Sequence, residues 1–166
     1  MTKVENQKIL ADVKKINVSE QIRKCILLFE KKWMEKDLEI DGDFLEYFLQ
    51  GNMELLEQVW VNLLDNAVKF SPRGGKIRVS IFPKADVGSR DKLLQITIAN
   101  QGPAIPQEQQ KRIFEKFYQG DASHSSEGAG VGLSVAKRIV ELHRGKILVE
   151  SQENETAFSV ILPTDN

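Results

Sequence analysis

The sequence predicts an α+β domain: a two-layer sandwich in which a mixed, mostly antiparallel sheet is covered on one face by helices. Three observations carry that expectation. Segments 76–82 (KIRVSIF) and 93–100 (LLQITIAN) are strands, the first by its alternation of polar and apolar residues. Segments 55–70 and 131–145 instead repeat their apolar residues at helical spacing. The chain then closes on two more strand-like runs, KILVES and TAFSVILP. Helices and strands interleaved in this order suit a sheet with helices packed on one side.

Residues 1–16 read as a polar lead-in, and the domain itself as residues 17–166, with KKINV a candidate edge strand. Ser19 is the expected N-cap of one apolar-periodic helix over 20–35. LEIDGDFLEYFLQGN reads as two strands around a turn near Gly42, and Asn52 as the cap of the next helix. Ser-Pro-Arg-Gly-Gly at 71–75 ends that helix. KADVGSRD at 84–91 is a polar loop, QEQQKRIFEKF opens a short helix, and 118–130 has the small, polar, glycine-containing composition of a mobile loop. In the last helix His143 and Arg144 occupy the final turn, where cations favour the dipole, and Gly145 lies past its end.

With 166 residues, 41% hydrophobic and 28% charged, the chain is of a size for one domain with a real core. A formal net charge of −1 gives no basic excess, so no nucleic-acid partner is expected. No apolar run is long enough for a bilayer, and the first fifteen residues lack a secretory core. Cys25 is the single cysteine, which excludes an internal disulfide and fits a cytoplasmic setting.

Three segments can carry chemistry. On the wheel of the helix at 55–70, Gln58, Asn62, Asp65, Asn66 and Lys69 share one wedge against an otherwise apolar surface. Asparagine is a poor helix former, so two of them a turn apart mark either a solvated stripe or a site. The run Gly128-Ala129-Gly130-Val131-Gly132 leads into a helix, whose N-terminus presents unpaired N–H groups to anions, or else simply ends a loop. It lacks the preceding strand of a dinucleotide fingerprint and the Gly-Lys-Ser/Thr of a Walker A loop. Finally, Asn100-Gln101-Gly102-Pro103-Ala104-Ile105 at a strand end is either a turn or a polar group beside an apolar pocket for a base.

Taken in order, NLLDNAVKFS, NQGPAI, IFEKFYQGD and GAGVGL look like the N, G1, F and G2 boxes of one family. The sequence resembles the ATP-binding catalytic domain of sensor histidine kinases, within the Bergerat-fold superfamily, from about Asn17 to Pro163. The resemblance implies that the domain binds ATP with Mg²⁺ and donates the γ-phosphate to a histidine on a separate dimerisation domain, the response regulator being served indirectly. It assigns catalytic roles to Asn62, Asn66 and Lys69, with Asn66 on Mg²⁺, Asn62 supporting it and Lys69 reaching the phosphates. Phe70 and Ile105 line the adenine pocket and Asn100 reads the adenine amino group. Gly102, Phe117 and Tyr118 join the nucleotide-binding set. Gly128, Gly130, Gly132 and Leu133 shape the phosphate cradle and hinge a lid over 119–129, which Phe114 and Phe117 tie to the core.

The hydrolase branches that resemble this one carry a glutamate general base where Asn62 stands, and an asparagine cannot take a proton, so the resemblance favours transfer over hydrolysis. The departures are Asn100 in place of an aspartate, Ala104 in place of a glycine and Gln119 in place of a basic residue. Losing the charge-assisted bond at Asn100 costs about 1–2 kcal/mol of nucleotide binding. A degenerate interaction module with little or no kinase activity is the alternative these departures raise. Neither His124 nor His143 has the family's acceptor pattern, so the chain reads as a catalytic domain without its acceptor. Residues 1–16 would then be the tail of the dimerisation region, the isolated chain a monomer, and the parent protein one that can carry a membrane anchor.

Overall fold

The computed structural model describes residues 10–85, 92–115 and 131–164. Along the chain run β1 (Lys14–Asn17), α1 (Val18–Leu28), α2 (Glu30–Glu35), β2 (Glu39–Asp41), β3 (Phe48–Gly51), α3 (Met53–Phe70), β4 (Lys76–Ala85), β5 (Lys92–Gln101), α4 (Gln107–Gln110), α5 (Val131–Leu142), β6 (Lys146–Gln152) and β7 (Glu155–Pro163). Five strands make one sheet in the order β2-β4-β5-β7-β6, and β1 pairs with β3 in a second sheet of two. β2 lies parallel to β4; the remaining neighbours are antiparallel.

Strand alternation decides which side of the sheet is covered. Ile77, Val79 and Ile81 of β4, Ile96 and Ile98 of β5, and Phe158, Val160 and Leu162 of β7 all point one way. They share a core with Val59, Trp60 and Leu63 of α3 and with Ala136, Ile139 and Val140 of α5. The residues between them, such as Ser80, Thr97 and Ser159, stay half-exposed on the other side, where Thr97 and Ser159 hydrogen-bond at 2.9 Å. The expected two-layer α+β sandwich with helices on one face is therefore the observed one. Among the described residues no helix is long and apolar enough to cross a membrane.

Several elements differ from the sequence reading. The single helix over 20–35 is two, α1 and α2, meeting at Phe29. Its cap is Asn17, whose side chain accepts from Glu20 N–H at 3.0 Å. The Ser19 hydroxyl is buried instead; it donates to Leu45 O (2.7 Å) and accepts from Tyr47 N–H (2.9 Å), pinning the chain ahead of β3. The two strands around Gly42 exist but do not form a hairpin, because β2 joins β4 while β3 joins β1. β4 also runs on through Lys84 and Ala85, since pairing with Lys92 and Leu93 satisfies backbone that composition alone assigns to a loop. The lead-in is partly structural as well: Ile16 of β1 is 2% exposed and belongs to the core.

Candidate functional site

α3 is the element from which the site is built. Asn52 caps it, its side chain accepting from Leu55 N–H at 3.0 Å. Leu56, Val59, Trp60, Leu63, Leu64, Ala67 and Val68 are buried. Trp60 is fully enclosed and donates its indole N–H to Gln21 Oε1 at 2.8 Å. This packing turns the opposite wedge outward: Gln58 is exposed, whereas Asn62, Asp65, Asn66, Lys69 and Phe70 are half-buried. A purely solvated stripe would be bare along its length, but other chain segments abut this one at two points.

The first is the start of α5. Asn62 Nδ2 donates to Gly132 O at 3.0 Å, so one of the two asparagines is committed to holding α5 against α3. Leu133 follows, half-buried against the core. The side chain of Asn66, one turn further, makes no hydrogen bond among the described residues. The pair is thus structurally unequal, a distinction that spacing cannot reveal.

The second point is the turn after β5. Gly102 has φ +147°, and a Cβ there would stand 2.7 Å from Phe70 O. Both the backbone region and the contact demand glycine. Replacing Gly102 by alanine is expected to destabilise the domain by about 2 kcal/mol and to displace the end of α3; urea denaturation with nucleotide titration checks both. The turn is fastened from the far side by Gly102 N–H to Asn154 O (3.0 Å) and by Ile105 N–H to Ser151 Oγ (2.6 Å). Asn100, 5% exposed, donates its amide N–H to Gln101 O at 2.9 Å, which leaves its carboxamide oxygen as the accepting end.

Charge is concentrated at the C-terminal half of α3. Lys69 Nζ lies 3.1 Å from Asp65 Oδ2, and Lys32 of α2 reaches Asp65 Oδ1 at 3.9 Å. Lys36, which the sequence reading did not single out, donates to the carbonyls of Val68, Lys69 and Ser71. Its ammonium supplies the positive charge that a helix C-terminus favours, and burial pulls its pKa below the ordinary lysine value.

His143 departs from its expected role as a cationic dipole partner. It is fully buried; Nδ1–H donates to Ile139 O (2.8 Å) and Nε2 accepts from Asn52 N–H (3.0 Å). Those partners fix a neutral tautomer, and burial lowers the pKa. The residue joins the end of α5 to the beginning of α3.

The structure thus brings Asn62, Asn66, Lys69, Phe70, Gly102, Gly132 and Leu133 around one helix, with Asn100 and Ile105 on the strand end and turn that carry Gly102. Phe114 packs edge-on to Phe158, ring centroids 6.1 Å apart. Phe117, Tyr118, Gly128 and Gly130, like Gln119 and His124, lie outside the described residues. A trough of about 430 Å³ over Ser80, Thr97, Ala99 and Ala157 opens on the uncovered side of the sheet. It includes none of the wedge residues, and its Arg78 is already paired with Glu155 at 2.7 Å.

Comparison with known proteins identifies the family of this fold. Residues 51–166 match the family model described as histidine kinase-, DNA gyrase B-, and HSP90-like ATPase. The adaptive-response sensory kinase SasA of Thermosynechococcus vestitus is 36% identical over 145 residues, 87% of this chain and 36% of its own length. The heme sensor protein HssS of Staphylococcus saprophyticus is 36% identical over 146 residues, 87% of this chain and 30% of its own. Among solved structures, the nucleotide-free catalytic domain of histidine kinase ThkA superposes with a TM-score of 0.81 at 26% identity, covering 93% of this chain and 97% of that one. The chain spans 27% to 41% of the length of the SasA relatives it matches. The chain belongs to the histidine kinase-, DNA gyrase B- and HSP90-like ATPase family, as a catalytic domain of the sensor histidine kinase type.

Proposed function

We propose that the domain binds Mg-ATP over the polar wedge of α3 and gives the γ-phosphate to a histidine on a separate domain. The observation that carries this reading is the convergence of the α5 start and the Gly102 turn on the half-buried wedge. In it Asn66 offers a neutral carboxamide oxygen, a hard donor suited to Mg²⁺. Among the described residues no cluster of three His, Cys, Asp or Glu side chains exists to hold a metal alone, which fits an ion that arrives with phosphate oxygens. Bound there, Mg²⁺ would neutralise charge on the phosphates. Asn62 keeps α5 in register with α3, Lys69 reaches the phosphates, Phe70 and Ile105 flank the adenine, and the Asn100 carboxamide oxygen accepts from its amino group. Gly102 keeps the turn close against α3, and Phe117, Tyr118, Gly128 and Gly130 complete the set from the segment beyond.

Transfer of a phosphoryl group depends mainly on position and charge rather than on an acid–base pair. The wedge supplies both and has no glutamate at Asn62 to activate water. His143 is unsuited as the acceptor because it is enclosed and both ring nitrogens are engaged; the acceptor histidine is proposed to belong to a separate dimerisation domain of the parent protein, with the present domain on the cytoplasmic side. ThkA, a relative at 25% identity and TM-score 0.75, has been solved in complex with the response regulator TrrA, and a regulator of that class is the proposed indirect partner. The isolated chain is expected to be monomeric.

Calorimetric titration with ATP and Mg²⁺ tests the reading; no heat of binding at millimolar nucleotide would end it. In Lys69→Ala the ATP Kd should rise about tenfold while adenosine binds as before, because the lost group serves the phosphates only. Equal losses for ATP and adenosine would argue for damage to the fold instead.

A further inference from the structure

We propose that Lys36 is a positioning residue of the nucleotide site: its ammonium holds the last turn of α3 by main-chain carbonyls and thereby sets where Lys69 and Phe70 stand. This rests on the reading of α3 as the nucleotide floor. Lys36 Nζ donates to Ser71 O at 2.6 Å, Val68 O at 2.8 Å and Lys69 O at 3.1 Å. An ammonium has three N–H donors, and a helix C-terminus leaves its final carbonyls without helical partners. One side chain from a different part of the chain therefore fills its donor capacity on the turn that matters.

The anchor is itself braced. Lys36 O accepts from Gly74 N–H at 2.8 Å and Glu39 N–H donates to Gly75 O at 2.9 Å, so the corner after α2 and the corner after α3 are stitched together. The turn so held contains Lys69, bound for the phosphates, and Phe70, whose carbonyl abuts Gly102. A small shift of this turn moves the phosphate cation and the adenine wall together. Lys36 acts only through the main chain, and the placement of those two side chains is what its loss should disturb.

The test compares wild type with Lys36→Met, Lys36→Arg and Asn17→Ala, the last removing the α1 cap as a destabilised control remote from the turn. Measured quantities are the ATP Kd with Mg²⁺, the thermal midpoint, and KM and kcat for transfer to an acceptor-histidine domain added in trans. In Lys36→Met the Kd and KM should rise about tenfold with kcat changed by less than about threefold. Asn17→Ala should lose thermal stability with its Kd unchanged. Lys36→Arg keeps the charge, but a flat guanidinium cannot meet three converging carbonyls, so its Kd should fall between wild type and Lys36→Met. ATP binding by Lys36→Met within about twofold of wild type, whatever its midpoint, overturns the proposal. Where Lys36→Met does not fold, an unchanged Kd in Lys36→Arg overturns it. Wild type that binds no ATP removes the nucleotide floor itself, a different failure from a normal wild type and an indifferent Lys36.

Discussion

Replacing Asn66 by alanine is expected to reduce phosphoryl transfer by about two orders of magnitude or more while leaving the thermal midpoint close to that of wild type. The two effects separate because Asn66 is half-buried and its side chain makes no hydrogen bond among the described residues, so the fold loses little when the carboxamide goes. Transfer loses the oxygen proposed to hold the ion that offsets charge on the phosphates. Asn62→Ala provides the contrast. There the bond to Gly132 O disappears, so a drop in the unfolding midpoint should accompany any loss of activity. Radiolabel transfer from Mg-ATP to an added acceptor domain, alongside thermal denaturation, distinguishes the two asparagines. An Asn66→Ala domain as active as wild type would refute its assignment to the metal.

His143→Ala should cost about 3 kcal/mol of stability, or roughly 10 °C in the midpoint for a domain of this size. The substitution empties a fully enclosed volume and leaves Asn52 N–H without its acceptor. The same residue gives stability a pH dependence. Folding holds the imidazole neutral, with a pKa below 6.5, whereas the unfolded chain takes up a proton near 6.5. The folded state therefore binds fewer protons, and stability falls as pH drops from about 6.5 towards the lowered folded-state pKa. Above that window the contribution is constant. His143→Gln keeps an acceptor but cannot be protonated, so its midpoint should vary less than that of wild type between about pH 6.5 and 5. Parallel curves for the two proteins would remove His143 as the cause.

What was legible in the sequence followed its periodicities. The α3 repeat, the alternation in β4 and the final strand pair depend on local patterns, and each is found. So is the Asn52 cap, because capping acts over three residues. What was not legible depends on partners far along the chain. The Ser19 bridge to residues 45 and 47 and the separation of β2 and β3 into different sheets both arise from tertiary pairing. Lys36 and His143 show the same limit at the site: one bonds to residues 32 to 35 positions away and the other to a residue 91 away. A lysine after a helix or a histidine near a helix end carries no local signal of such a partner. The wedge itself was readable, but not the division of labour between Asn62 and Asn66.

The position of Asn52 has a mechanical consequence. Its side chain caps α3 and also donates to Ala11 O at 2.9 Å, while its N–H is held by His143. The entering chain, the front of α3 and the back of α5 therefore meet at one residue. From there to Lys69 is 17 residues, about 25 Å of helix. A tilt of about 5° at that pivot would swing the far end of α3 by about 2 Å. That displacement is comparable to the difference between a formed and a broken contact with a phosphate. α3 is in this sense a lever whose fulcrum sits beside the entering chain and whose working tip carries the lysine.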